Sequence, residues 1–355
     1  MSRYAPLIEL YKTRLREFFR QPMRIFWVYG FPTVMAVGLG LAFKSKPVEE
    51  IHVDMISAGS SSEVQQTFSS HNRQTGPLSS PRIITHIATE AETDNRLMTG
   101  KTPLVILAKT ATNIEYRYDP TRPEAVSARN AVDTILQRAA GRLDPVATLD
   151  KVVDEPGSRY IDFLIPGLIG LNTMGGGLWG VGFLLVNFRI AKLLKRFKAT
   201  PMPRRDFLLA ILGARLTFLI PDIGVLLAMG YFVFQMPIRG NLLLVLLVDV
   251  LGALAFAGIG LLIAARTSTT ETVSGLMNLV MLPMWLFSGV FFSSERFPAA
   301  LQPFIQALPL TQLISALRMV ILEGAGAMQI LPSLVILTAW SVITFVVALK
   351  IFKWS

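Results

Sequence analysis

Residues 189–207 read RIAKLLKRFKATPMPRRDF, a basic stretch set between two long apolar runs. Arg189, Lys192, Lys195, Arg196, Lys198, Arg204 and Arg205 stand against a single acid, Asp206. A short loop this cationic beside a membrane span stays in the cytoplasm, because carrying its charges across the bilayer is disfavoured. Ile190, Leu193, Leu194 and Phe197 recur at helical spacing and predict a short amphipathic helix. Pro201 and Pro203 end it, since each lacks a backbone donor and restricts the residue before it. Two readings fit: a rigid cationic knuckle that docks a cytoplasmic partner, and a topological anchor alone.

The totals place the chain in a membrane. Apolar residues make up 52%, charged residues 16%, and the mean hydropathy is +0.50. Soluble domains carry nearer a quarter charged residues. With no cysteine there is no disulfide framework and no thiolate chemistry. The net charge of +10 raises the question of nucleic acid. Yet residues 44–159 hold 14 basic and 15 acidic side chains, so the surplus belongs to the cytoplasmic face of the membrane part. Lipid is the expected partner, and nucleic acid is not.

Before any span, Tyr4, Leu7, Ile8, Tyr11, Leu15, Phe18 and Phe19 mark one helical face, flanked by Lys12, Arg16 and Arg20. Residues 1–24 therefore predict an amphipathic helix in the inner membrane interface, with a helix packed on protein as the alternative. Residues 25–43 are uncharged and close to the ~20 residues that cross the bilayer, which predicts a first span. A signal peptide is the competing reading, but its apolar run would be shorter and its charged leader briefer. Residues 44–159 are charged and rich in Ser, Thr and Pro. IHVDMIS from Ile51, RIITHIA from Arg82, PLVILAK from Pro103 and IEYRYD from Ile114 predict strands. Helices are expected over 62–68, 90–97 and 123–142, giving a small α/β domain outside the membrane.

Residues 160–188 predict the second span. Its Gly170, Gly175, Gly176, Gly177, Gly180 and Gly182 allow close backbone approach, with Gly176 and Gly180 at small-xxx-small spacing, as at a subunit seam. Further spans are expected at 208–234, 242–265, 272–292 and 330–352. That makes six, with both termini cytoplasmic and only Arg239, Arg296 and Arg318 in the outer turns. Residues 293–329 are too apolar for a free loop and too broken by Pro298, Pro303 and Pro309 to cross. Two short helices, 297–305 and 311–322, are expected to form a re-entrant outer segment covered by protein.

Several chemistries are excluded. NRLMTGKT, residues 95–102, ends like a phosphate-binding loop, but Asn95 stands where its first glycine belongs. His52, His71 and His86 have no metal-ligand spacing, and neither GxSxG nor HExxH occurs, so neither catalytic nor metal residues are expected. Ionisable residues predicted within spans are Arg215, Asp222, Asp249 and Glu271. Such groups are costly in hydrocarbon and are functional candidates. Arg215 and Asp222, seven apart, share a helix face. Asp222 and Asp249 fall at similar depth on adjacent spans, fitting either a proton relay or an interhelical polar clamp. Glu271 sits near the cytoplasmic end of its span. Met277, Asn278 and Met281, with Met284 and Trp285, suit either a path for apolar cargo or plain core filling.

Taken together, these segments resemble the transmembrane permease subunit of type-2 ABC exporters. The likeness rests on the interfacial helix of residues 4–20, the outer domain after the first span, and YIDFLIPGLIGLNTMGGGLWGVGF from Tyr160. It continues in ATPMPRRDF and in SGVFFSSERFPAALQPFIQALPLTQLISALRMVILEG from Ser288, where Pro309 to Thr311 lead to Arg318. The large outer domain is similar to that of the drug-exporter branch. The resemblance implies a fold of six transmembrane helices with an N-terminal elbow helix and an α/β extracytoplasmic domain, in the bacterial inner membrane. It implies two permease chains, identical or paralogous, each docked on a separate ATP-binding subunit that holds ATP and Mg; this chain would bind no cofactor. Lys192, Lys195, Arg196, Lys198, Ala199, Thr200, Pro201, Arg204 and Arg205 match the coupling helix. Asn172, Met277, Asn278 and Met281 match the cargo route. A proton-coupled carrier using Asp222 and Asp249, and a membrane-anchored sensor or scaffold, are the alternatives.

Overall fold

A computed structural model describes residues 5–42, 50–56, 61–74, 81–110, 113–143, 157, 159–193, 196, 204–267 and 269–351. The chain forms two compact units, Met1–Lys44 with Asp154–Ser355, and Ser45–Val153. The first unit opens with α1 (Ala5–Phe19). Its apolar stripe is used against protein as well as being open: Tyr11, Leu15 and Phe18 pack with Ala214 and Phe218. The Phe18 and Phe218 rings lie 4.1 Å apart, and Tyr11 and Thr217 share a hydroxyl hydrogen bond of 2.8 Å. Ile8 and Phe19 remain exposed. One turn, Pro22–Ile25, leads into α2 (Phe26–Ala42), which begins with a π-helical turn. At 1.5 Å per residue α2 is about 25 Å long, short of the ~30 Å of hydrocarbon that the predicted first span would cross.

The second unit alternates strands with helices. In order come β1 (Glu50–Ile56), α3 (Ser61–Gln74), β2 (Arg82–Ala88), α4 (Glu90–Met98), β3 (Leu104–Thr110), β4 (Asn113–Arg117) and α5 (Pro123–Ala139). The sheet order is β2-β1-β3-β4, with β4 alone antiparallel. Ile51, Val53 and Met55 alternate onto one face and join Leu104 and Ile106 beneath Val64, Phe68 and Val132. Asp54, on the central strand and 1% exposed, needs a partner, and Arg96 of α4 donates to it at 2.6 Å. Burial, with Asp133 beside it, pushes the Tyr116 hydroxyl up to about 12, so it stays a neutral donor to that carboxylate. The Gly-Lys-Thr of residues 100–102 closes α4 rather than opening a helix. Gly100 has φ +72°, and Lys101 N–H returns to the Arg96 carbonyl, as at a helix C-terminus.

The first unit resumes with α6 (Tyr160–Ile190), α7 (Arg204–Phe232), α8 (Leu242–Ala264), α9 (Thr270–Phe287), α10 (Ala299–Ala307), α11 (Pro309–Glu323) and α12 (Leu331–Ile351). Among the described residues, α6, Leu209–Phe232 of α7, α8 and α12 are long and apolar enough to cross a membrane; α10 and α11, bent by 85°, make a fifth if counted as one. The six-span expectation therefore exceeds what length and composition support. α9 stops at Phe287, five residues before its predicted end, because Gly289 turns into the left-handed region at φ +78°. Pro309 at the start of α11 fixes the bend after α10. Arg318 lies within α11, in the helix expected over 311–322.

α8 runs through the core against α6, α11 and α12. The glycines of α6 serve different neighbours within the chain. A Cβ at Gly182 would meet the Gly260 carbonyl of α8, whereas one at Gly175 would meet nothing. Gly176 and Gly180, predicted to receive another backbone, receive the Arg215 side chain. We expect Gly182→Val to lower the thermal midpoint and the monodisperse yield of the detergent-purified chain. Gly175→Ala should leave both unchanged or raise the midpoint slightly. In the second unit, Asp54→Ala should cost about 2 kcal/mol, read as faster amide exchange along β1 and β3.

Candidate functional site: a two-chambered cavity beside an intramembrane ion pair

A cavity of about 560 Å³ lies among α2, α6 and α9. Asn172, Asn278 and Met281 line it together, with Trp27, Trp179 and Trp285. Trp179 Nε1 donates to Met281 Sδ at 3.1 Å, a soft contact that orients the indole against the wall. Met277, predicted to share this path, does not reach it. It is fully buried, with its methyl group at Gly182, in the core cluster of Val181, Leu185 and Phe207. A second cavity, about 440 Å³, shares Trp27, Asn172 and Trp179 with the first and extends to Arg14, Phe18, Arg215, Phe218 and Asp222.

The ionisable residues separate into three environments. Arg215 Nη1 donates to Asp222 Oδ2 at 2.8 Å, two turns along α7, and both side chains are buried. Asp249 does not join that pair directly. Fully buried on α8, it accepts from Thr173 Oγ1 of α6 at 2.7 Å. The interhelical clamp thus runs through Thr173, and the seven-residue pair is an intrahelical one. Gly176 makes the arrangement sterically possible, since a Cβ there would sit on the Arg215 guanidinium. Glu271 stands apart, exposed in the first turn of α9, where it accepts from Thr270 and faces the helix's positive end.

Of the basic knuckle, Lys195, Lys198, Ala199, Thr200 and Pro201 lie outside the described residues, as do Leu194 and Phe197 of the predicted amphipathic helix. Lys192 (φ 54°) and Arg196 are exposed, and Arg204 and Arg205 begin α7. Arg189 turns back onto its own chain. It donates to the carbonyls of Ala264 at 2.7 Å, Ala265 at 3.2 Å and Thr267, satisfying the end of α8.

Two charged brackets escaped sequence reasoning. Asp162, fully buried, binds Gly157 N–H and the Arg159 guanidinium, which also donates to the Phe234 carbonyl at 2.7 Å. The signal was Arg159 three residues before Asp162 at a helix start. Arg318 donates to the carbonyls of Phe163 and Gly289 while lying 3.4 Å from the Phe163 ring centre. Removing one member of a buried pair strands the other. Arg215→Met should therefore destabilise the purified chain by about 3 kcal/mol, and adding Asp222→Leu should restore most of the loss in a thermal melt.

The comparisons with known proteins agree with this membrane architecture. Over 193 residues the chain is 30% identical to ABC transporter G family member 20 of Dictyostelium discoideum, covering 54% of this chain and 26% of that protein. Over 127 residues it is 32% identical to the linearmycin resistance permease protein LnrN of Bacillus subtilis, covering 36% and 33%. Over 209 residues it is 24% identical to the inner membrane transport permease YadH of Escherichia coli, covering 58% and 77%. The chain thus spans about a quarter and a third of the first two relatives. The family described as ABC-2 family transporter protein matches residues 23–350. A match of that extent, on a chain with this helical core, makes the protein a member of the ABC-2 transporter family.

Proposed function

We propose that this chain is the permease subunit of an ATP-driven exporter for apolar or amphiphilic, multidrug-like compounds. The observation that carries the reading is the Trp- and Met-lined chamber at Asn172, Asn278 and Met281, inside a chain of this transporter family. Aromatic and methionine walls accept varied apolar shapes, and the two amides offer orienting hydrogen bonds. The name of the LnrN relative, a resistance permease, supports export of a toxic compound.

In this reading α2 and α9 complete six passes, with both termini and residues 189–207 cytoplasmic and residues 44–159 and 293–329 on the outer side of an inner membrane. A second permease chain, identical or sister, completes the path. The ATP-binding subunit is a separate polypeptide that holds ATP and Mg, and it docks on Lys192, Lys195, Arg196, Lys198, Ala199, Thr200, Pro201, Arg204 and Arg205. Displacement of that knuckle reaches the core through Arg189, whose grip on three carbonyls ties the end of α6 to the end of α8.

The test is purification of the tagged chain from its native membrane in mild detergent, followed by efflux measurements in inverted vesicles. A stoichiometric ABC-type ATPase should co-purify, and Arg204→Glu with Arg205→Glu should abolish its recovery while leaving membrane insertion intact. Normal recovery of the ATPase by that variant would remove the docking role. Transport that collapses with an uncoupler while ATP is held constant would point instead to a proton-coupled carrier.

A further inference from the structure

We propose that the larger chamber binds an uncharged, elongated amphiphile at two points, with Asn172 taking a hydrogen-bonding group near one end and Asn278 a second near the other. Both side chains line the chamber, Asn172 half-buried and Asn278 exposed, and neither carboxamide has a hydrogen-bond partner among the described residues. Each therefore offers both a donor and an acceptor to whatever fills the space. Their spacing follows from the helix register. The Met277 methyl lies at Gly182 and Met281 accepts from Trp179, so α6 and α9 run antiparallel. With Trp179 and Met281 level, Asn172 stands seven residues to one side and Asn278 three to the other. At 1.5 Å per residue they are about 15 Å apart along the axis. A hydrogen bond of about 3 Å at each end leaves ligand groups about 9 Å apart, too far for one amide to serve both.

The walls select against charge of either sign. Among the described residues no ionisable side chain lines the larger chamber. The adjoining cavity has its charges already matched: Asp222 holds Arg215, whose other nitrogens are buried against Gly176, and Arg14 is paired with Glu17. An ion entering here would give up its hydration without gaining a counter-ion, a far larger cost than burying a neutral polar group. A neutral amide gives up only what Asn172 and Asn278 return. The rest of the wall, Trp27, Phe31, Met35 and Leu282 among it, suits an apolar spacer. That such a compound is cargo rests on the export function proposed above; its binding does not.

The test uses the full chain in phosphatidylcholine nanodiscs with no ATPase present, titrated by calorimetry and corrected with empty discs. The probes are N,N′-dibenzoyl-1,6-diaminohexane, N-hexylbenzamide, and hexane-1,6-bis(benzyldimethylammonium), a dication of similar length. Asn172→Leu and Asn278→Leu should each weaken the bis-amide about ten-fold. Each should leave N-hexylbenzamide within about two-fold, because the remaining carboxamide still serves its single amide. The dication should bind the unaltered chain at least about ten-fold more weakly than the bis-amide. Unchanged bis-amide affinity in either variant, once shown to be monodisperse, overturns the proposal. Equal loss of both amides in one variant assigns a single-point site and overturns it too. So does a dication that binds as tightly as the bis-amide, a comparison that needs no variant. Bis-amide binding as stated, with no ATP-driven efflux of it in inverted vesicles, would count against the export reading and leave the site standing.

Discussion

A charge held between apolar helices has no water to return to, so its partner has to come from the chain itself. Much of this architecture derives from that constraint. Asp162 is closed by Arg159 and the Gly157 amide, while Thr173 donates to one oxygen of Asp249 and Asp222 accepts from one nitrogen of Arg215. Arg189 and Arg318 find carbonyls instead, Arg189 at the end of α8, where the last carbonyls lack helical partners, and Arg318 in the turn after α9 and in the first turn of α6. Each closure that crosses between elements also joins them. Arg159 links the start of α6 to the end of α7, Thr173 links α6 to α8, and Arg318 links α11 to α6 and to the turn after α9. The apolar core supplies bulk attraction, but these few polar contacts set which face meets which.

The bent pair α10–α11 obeys the same rule. Its broken backbone is covered by protein: Trp340 of α12 donates to the Ala307 carbonyl at 2.8 Å, and Ser333 donates to Gln312, which itself donates to the Gln306 carbonyl. The segment between α7 and α8 joins in through the Arg239 amide, bonded to the Ile321 carbonyl at 2.9 Å. The helices around the chambers are therefore anchored at one end by the bent pair and at the other by the Arg189 bracket.

Periodicity made much of this legible. Alternating Ile51, Val53 and Met55 announced a strand with a single apolar core face, and three prolines announced the interruption within residues 293–329. Periodicity names a face without naming what covers it. Met277 and Met281 share a face of α9, yet only Met281 reaches the cavity, because Gly182 lets α6 close over the turn below. Tyr11 and Phe18 likewise form a membrane-binding stripe on paper, while Phe218 and Thr217 claim part of it. Cations were misread for a related reason. Arg189 was counted with its neighbours in sequence, whereas its partners lie on α8, more than seventy residues away.

The π-helical turn at Leu178–Phe183 sets the aim of the whole second half of α6. Asn172, Gly176, Gly180 and Asn187 all border the smaller cavity, a stripe whose repeat is slightly longer than the 3.6 residues of an α-helix. In uniform α-geometry that stripe would drift around the helix. The widened turn absorbs one residue and realigns the remaining turns of the helix, a rotation of about 100° for each residue gained or lost. Chain length within those six residues is thus an address, selecting at once which amide faces the cavity and whether Arg189 points at α8 or away from it.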